Sequence, residues 1–313
     1  MSAAGWNADM NDTGRRADAS VPGSHADANV ADRRADASSA DELRLLSLNQ
    51  ATIRSWSAGE AIEGCARHGV EYVGLWRDKV AEAGLAATRR LLDETGVRVS
   101  SLCRGGFFPA ATSTERSERL DDNRRAIDEA AALGTDLVVL VCGGVVGRDL
   151  PGSRQMVADG IEALIPYAAE RGVRLGIEPL HPVFAGDRSV IASLAEAGAL
   201  AERLASPTVG VVVDVYHVWW DVHVHELMRR LGERLLAFHV NDWLAPPPAV
   251  LEGRGMMGDG VIDLRALYTT ARETGYRGPV EVEIFNHDIW ALPGDEVMTL
   301  MRQRYRDHVL GGR

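Results

Sequence analysis

Four stretches of this sequence end a β-branched apolar run in a side chain able to bind a metal or move a proton. They are Gly176-Ile177-Glu178-Pro179-Leu180-His181, Val213-Asp214-Val215-Tyr216-His217, Phe238-His239-Val240-Asn241-Asp242 and Val282-Glu283-Ile284-Phe285. Brought to one place, the three carboxylates would repel one another by several kcal/mol unless a cation sat among them. A divalent ion answers that requirement. The expected ligands for one ion are therefore Glu178, Asp214, His239 and Glu283. A mostly oxygen donor set with one imidazole suits Mn²⁺ first, then Mg²⁺ or Co²⁺, and also accommodates Zn²⁺ or Fe²⁺, with coordination positions left for substrate oxygens.

These side chains share a level only if the runs that carry them are parallel neighbours. From residue 43 the chain alternates short β-branched runs with longer stretches of helical spacing. Strands are predicted at Leu43–Leu48, Val70–Leu75, Val97–Cys103, Asp136–Cys142, Val173–Glu178, Val209–Asp214, Leu235–Val240 and Val280–Ile284. Helices are predicted near 58–68, 84–95, 115–133, 154–171, 190–205, 223–232, 263–275 and 295–309. Strands buried on both faces and separated by helices demand parallel pairing through right-handed crossovers. Eight such units fit a closed (β/α)8 TIM barrel, whose chemistry sits at the carboxyl ends of the strands. Asn49-Gln50-Ala51-Thr52 after the first strand has no glycine to cradle a pyrophosphate, which argues against a dinucleotide-binding sheet. Gly69, Gly96, Gly134, Gly172 and Gly275 stand where helices should stop.

Residues 1–40 differ in kind. Ala, Asp, Ser and Arg dominate, and Arg15-Arg16-Ala17-Asp18-Ala19-Ser20 recurs as Arg33-Arg34-Ala35-Asp36-Ala37-Ser38. So few large apolar residues cannot offset ordering entropy, so the expectation is a disordered tail before one barrel domain at 41–313. Six Asp against four Arg give the tail a net charge of −2, leaving about −9 of the total −11 on the barrel. That acidity opposes nucleic acid, whose binding rests on Lys and Arg neutralising phosphates. No run is long and apolar enough to span a membrane and no secretory pattern opens the chain, so a cytoplasmic protein is expected. Cys65, Cys103 and Cys142 lie in apolar surroundings and are expected to be reduced core residues.

The order Glu178, Asp214 with His217 three residues on, His239, Glu283 on the last four strands resembles the xylose-isomerase-like barrel superfamily of sugar isomerases and epimerases. Glu178-Pro179-Leu180, Asp214-Val215-Tyr216-His217, His239-Val240-Asn241-Asp242 and the Gly-rich segment Arg254 to Asp263 are similar to motifs of ketose 3-epimerases. The resemblance covers roughly residues 43–309. It implies the same four metal ligands, with His217 beside the substrate; Asp242 is a further expected substrate contact. A narrower resemblance, through Leu48-Asn49-Gln50-Ala51-Thr52, Gly74-Leu75-Trp76-Arg77 and Ser101 to Phe108, is to the large subunit of bacterial C-glycoside deglycosidases, which act on 3-keto-glycosides. In that group His follows the strand-five Glu by three residues, as His181 does here. A homo-oligomer or a small partner subunit is compatible with it.

The chemistry common to both is proton abstraction next to the carbonyl of a keto-sugar through a metal-stabilised enediolate. Return of the proton makes an isomerase or epimerase, and expulsion of a neighbouring leaving group makes a β-eliminating lyase. The expected catalytic residues are His181 as an imidazole base, with Glu178 and Glu283, although His181 would equally serve to order its loop. Arg104 and Arg254 are fork donors for a substrate oxygen or counter-charges for acidic neighbours, while Trp76 and Phe107 either pack long loops against the barrel or form an aromatic wall for a sugar or aglycone face. A small sugar or glycoside is the expected partner. A repair endonuclease on this barrel would need a basic groove and further His ligands, and a non-catalytic carbohydrate-binding barrel would not need four converging ligands.

Overall fold

The computed structural model describes residues 41–312. The expected tail at 1–40 lies outside the described residues. Eight parallel strands close a barrel: β1 (Leu46–Asn49), β2 (Tyr72–Trp76), β3 (Arg98–Gly106), β4 (Leu137–Val141), β5 (Arg174–Glu178), β6 (Val209–Asp214), β7 (Leu235–Val240) and β10 (Val280–Val282). β8 (Asp242–Trp243) and β9 (Arg254–Gly255) form a small antiparallel ribbon after β7. The barrel closes where β1 pairs with β10, Ser47 opposite Glu281.

The helices obey their end signals. Ser57 and Thr112 each form a capping box, with Glu60 and Glu115, and Gly69, Gly96 and Gly134 end their helices in the left-handed conformation. Helix Ala58–His68 matches its predicted span, and the others agree within a few residues.

Three local readings are corrected. Leu43 belongs to a helical turn and the first strand begins at Leu46, because Leu45 N–H bonds back to the Glu42 carbonyl at 3.1 Å. A helix at Arg77–Ala83 was not expected; it follows β2 directly, and Arg77 reaches Asp122 and Glu129 at 3.0 and 2.6 Å. β10 stops at Val282, but Glu283 stays in line because its N–H donates to the Val240 carbonyl at 3.1 Å. Cys65, Cys103 and Cys142 are free and buried, as expected. Among the described residues no helix is long and apolar enough to cross a membrane.

Candidate metal centre

Strand pairing sets Asp214 and His239 at one level, with Glu281 rather than Glu283 opposite His239 on its other side. Val141 pairs with Glu178, and Asp214 pairs with His239. One ligand-type atom from each of Glu178, Asp214, His239 and Glu283 lies within 4.8 Å of the others, and all four residues are buried. His239 Nδ1 is 3.8 Å from Glu178 Oε1 and 3.5 Å from Glu283 Oε2. Both His239 nitrogens lack a hydrogen-bond partner. An unsatisfied buried polar group costs roughly 1–3 kcal/mol, and an imidazole nitrogen this close to two carboxylates is suited to sharing a cation with them. The residues fit a divalent metal.

Arg254 already supplies one charge here. Its Nη1 lies 2.7 Å from Asp214 Oδ2 and 2.9 Å from Glu283 Oε2, and its guanidinium sits against the Tyr216 and Phe285 rings at 4.9 and 4.8 Å. Burial, reinforced by Glu283 and Asp214, pushes the Glu178 carboxyl up to about 8. Burial alone would raise Asp214 too, but Arg254, His217 and His239 hold it at about 2. Burial works against a charged His239, yet Glu281, Glu283 and Glu178 outweigh it and lift the ring to about 10.

The expected substrate-facing residues divide. His217 is buried, and burial presses it down to about 3 despite Asp214. Its Nδ1 lies 3.1 Å from the His181 backbone nitrogen and its Nε2 lies 3.3 Å from Arg254 Nη2; both neighbours are donors, and a neutral ring accepts from only one of them. Trp76 and Arg104 line a cleft of about 250 Å³ beside the centre, with Phe285 and Trp290. Trp76 is fixed by donating Nε1–H to Asn49 Oδ1 at 2.9 Å. Phe107 lies under the Arg104 guanidinium at 4.5 Å and packs with Leu180, Phe184 and Tyr216, so it supports that arginine.

Two of the expected site residues also hold local turns. Asp242 accepts N–H groups from Trp243, Ile262 and Gly258 at 2.9, 3.0 and 2.9 Å, so its carboxylate is committed to shaping the loop that carries Arg254. A side chain on Gly260 would run into Asp242 and the Trp243 carbonyl, which is why that turn has none. His181 Nδ1 accepts the Val183 N–H at 3.2 Å, at the head of the turn Pro182–Phe184, and its ring packs 5.6 Å from both Trp220 and Trp243. The neutral ring therefore carries its proton on Nε2, and Nδ1 is used within the loop.

Glu281 was missed. It is buried inside the barrel, where its Oε2 accepts from Asn49 Nδ2 at 3.0 Å and stands 3.6 Å from His239 Nε2, across the ring from the other ligands. Gly74 makes the room, since a Cβ there would overlap the Glu281 carboxylate. The signal was the spacing Glu281, Glu283, because a period of two puts both acids on one strand face. Asn241 also went unassigned; its Nδ2 donates to Asp214 Oδ1 at 2.8 Å.

Fold and site together define a class: a (β/α)8 barrel with a buried Glu-Asp-His-Glu centre at the carboxyl ends of its strands. Residues 62–304 match the model of the xylose isomerase-like TIM barrel family, and this chain belongs to that family. A crystal structure of a Sinorhizobium meliloti protein superimposes with a TM-score of 0.84 at 45% identity, covering 85% of this chain and 99% of that one. The 3-dehydroshikimate dehydratase of Pseudomonas putida is 28% identical over 241 residues, which are 75% of this chain and 37% of the dehydratase. The chain thus spans less than half the length of that relative. The L-ribulose 3-epimerase of a Methylomonas species is 24% identical over 75% of this chain and 82% of the epimerase.

Proposed function

We propose that this chain is a divalent-metal-dependent enzyme of the sugar isomerase or epimerase type, abstracting a proton next to the carbonyl of a keto-sugar. The observation that carries the reading is the convergence of Glu178, Asp214, His239 and Glu283 within 4.8 Å at the barrel mouth. The similarity to an L-ribulose 3-epimerase supports it. Those four side chains would hold the ion, Mn²⁺ first and Mg²⁺, Co²⁺ or Zn²⁺ as alternatives; bound there, it draws electron density from a carbonyl oxygen and acidifies the adjacent C–H.

The chain's own groups do the rest. With His181 Nδ1 occupied by Val183, proton transfer falls to a carboxylate of the centre, Glu178 or Glu283. Arg254, whose Nε has no partner, is the donor that orients substrate oxygens, with His217 beside it. Trp76 and Phe285, packed edge to face at 5.8 Å, give a sugar an apolar wall and keep water off it.

A second reading, elimination, is favoured by the similarity to a dehydratase. The same proton abstraction expels a leaving group from the next carbon, as a β-eliminating lyase on 3-keto-glycosides would. Incubation of metal-loaded protein with ketoses in D₂O should put deuterium on the carbon beside the carbonyl, and chelator or Glu178→Gln should stop it. Release of an aromatic aglycone from a 3-keto-glycoside without ketose exchange would establish the lyase instead. Neither product, with sugar still bound, would leave a carbohydrate-binding barrel.

A further inference from the structure

The cleft beside the metal centre differs in charge from the rest of the molecule. Arg54, Lys79, Arg104 and Arg188 line it against Asp78 and Glu252, four cations to two carboxylates and a net of +2, in a chain whose net charge is −11. Two of the cations are already matched, since Arg54 lies 3.9 Å from Glu252 and Lys79 lies 3.3 Å from Glu82. Arg104 and Arg188 have no ion-pair partner among the described residues. Both are half-buried, and both face the cleft that Trp76 and Phe285 wall. Burial lowers the Arg188 pKa, and Arg104 and Arg254 push the same way, against Asp187 and Glu252. Two half-buried guanidiniums lining one cleft gain most from a shared anion, because each presents a planar fork that matches a carboxylate or a phosphate.

We infer that Arg104 and Arg188 form an anion subsite, and that the substrate is a keto-sugar bearing one carboxylate or phosphate group. The second half of this statement rests on the proposed proton abstraction; the subsite itself does not. A cleft of about 250 Å³ lies below the roughly 300–1,000 Å³ of pockets that hold drug-sized ligands, so one sugar unit with its charged group fills it. Arg104 is braced from beneath by the Phe107 ring at 4.5 Å, which fixes its fork without spending any of its hydrogen-bond donors.

The test compares D-glucuronate, D-glucose 6-phosphate and uncharged D-glucose by calorimetric titration, with the chelator-stripped protein and again with the metal-loaded protein. In the stripped protein at least one charged sugar should bind ten-fold or more tightly than glucose, with glucuronate ahead identifying a carboxylate and glucose 6-phosphate ahead a phosphate. Arg104→Gln and Arg188→Gln should each remove most of that preference, while Arg90→Gln, on an exposed helix face, should keep it. Melting temperatures of all three variants should match wild type. Equal binding of the three sugars, or a preference that survives in the double variant Arg104→Gln/Arg188→Gln, overturns the subsite. A preference confined to the metal-loaded protein and unaltered in the variants does so too, because it reports chelation. Failure of D₂O exchange alongside an arginine-dependent preference would strike the proposed reaction and leave the subsite standing.

Discussion

The two halves of the barrel mouth come from one repeating unit and hold different things. From β5 to β10 the strand ends carry Glu178, Asp214, His239 and Glu283, all buried, with Arg254 among them. From β1 to β4 they carry Asn49, Trp76, Gly106 and Val141, and no ionised group is buried there. The charged residue that follows β2, Arg77, is spent on Asp122 and Glu129 of the outer helix Ser113–Leu133. A metal centre needs its donor atoms fixed within a fraction of an ångström, which paired strands provide. Recognition tolerates looser placement, and the cleft draws on both halves, through Arg54, Trp76 and Arg104 from the first and Arg188, Phe285 and Trp290 from the second.

This division can be broken at four points. Glu178→Gln and His239→Ala should lower metal affinity by well over the roughly 10- to 100-fold expected of an outer partner and abolish exchange; plasma emission spectrometry finding one ion per chain in both would remove the centre from β5 to β10. Glu281→Gln keeps the volume and the hydrogen-bonding reach toward Asn49 but loses the charge facing His239, so metal affinity should fall about 10- to 100-fold with the melting temperature maintained. Unaltered affinity would make Glu281 a packing residue only. On the other half, Arg77→Ala should cost about 1–3 kcal/mol in denaturant titration, the loss of charged hydrogen bonds, and leave metal affinity untouched; a metal defect there would show that the halves are not separable. The smallest effect belongs to His181→Asn, whose side chain can still accept the Val183 N–H. Turnover should change less than about ten-fold, against the 10²–10⁴ typical of removing a general base, and a loss in that higher range would restore His181 as the base.

The barrel and the ligand set were legible because both depend on period and order. Fully buried runs such as Leu137–Val141 can be strands only in a sheet covered on both faces, and a ligand at the end of each of four consecutive strands has one meeting place. What escaped depends on which partner a side chain meets. Asp242 and His181 carry the right chemistry at the right rim, and what no periodicity encodes is that the backbone N–H groups of Gly258, Ile262 and Val183, brought close by turns, donate to them. Arg254 was read as a fork for substrate or counter-charge, and its contact with Asp214 and Glu283 depends on a loop whose path no periodicity encodes.

The hydrogen bond between Asn49 and Glu281 joins residues 232 positions apart, across the seam where β1 meets β10. Contacts so distant in sequence form late, because the chain must order a large loop before the bond can repay it. The His239 environment is therefore finished only when the barrel shuts, and a nascent chain still holding residues 280–284 inside the ribosome has Glu178, Asp214 and His239 but neither Glu283 nor the carboxylate behind the imidazole. Barrel closure and completion of the centre are one event, and a substitution that loosens the seam will delay both together.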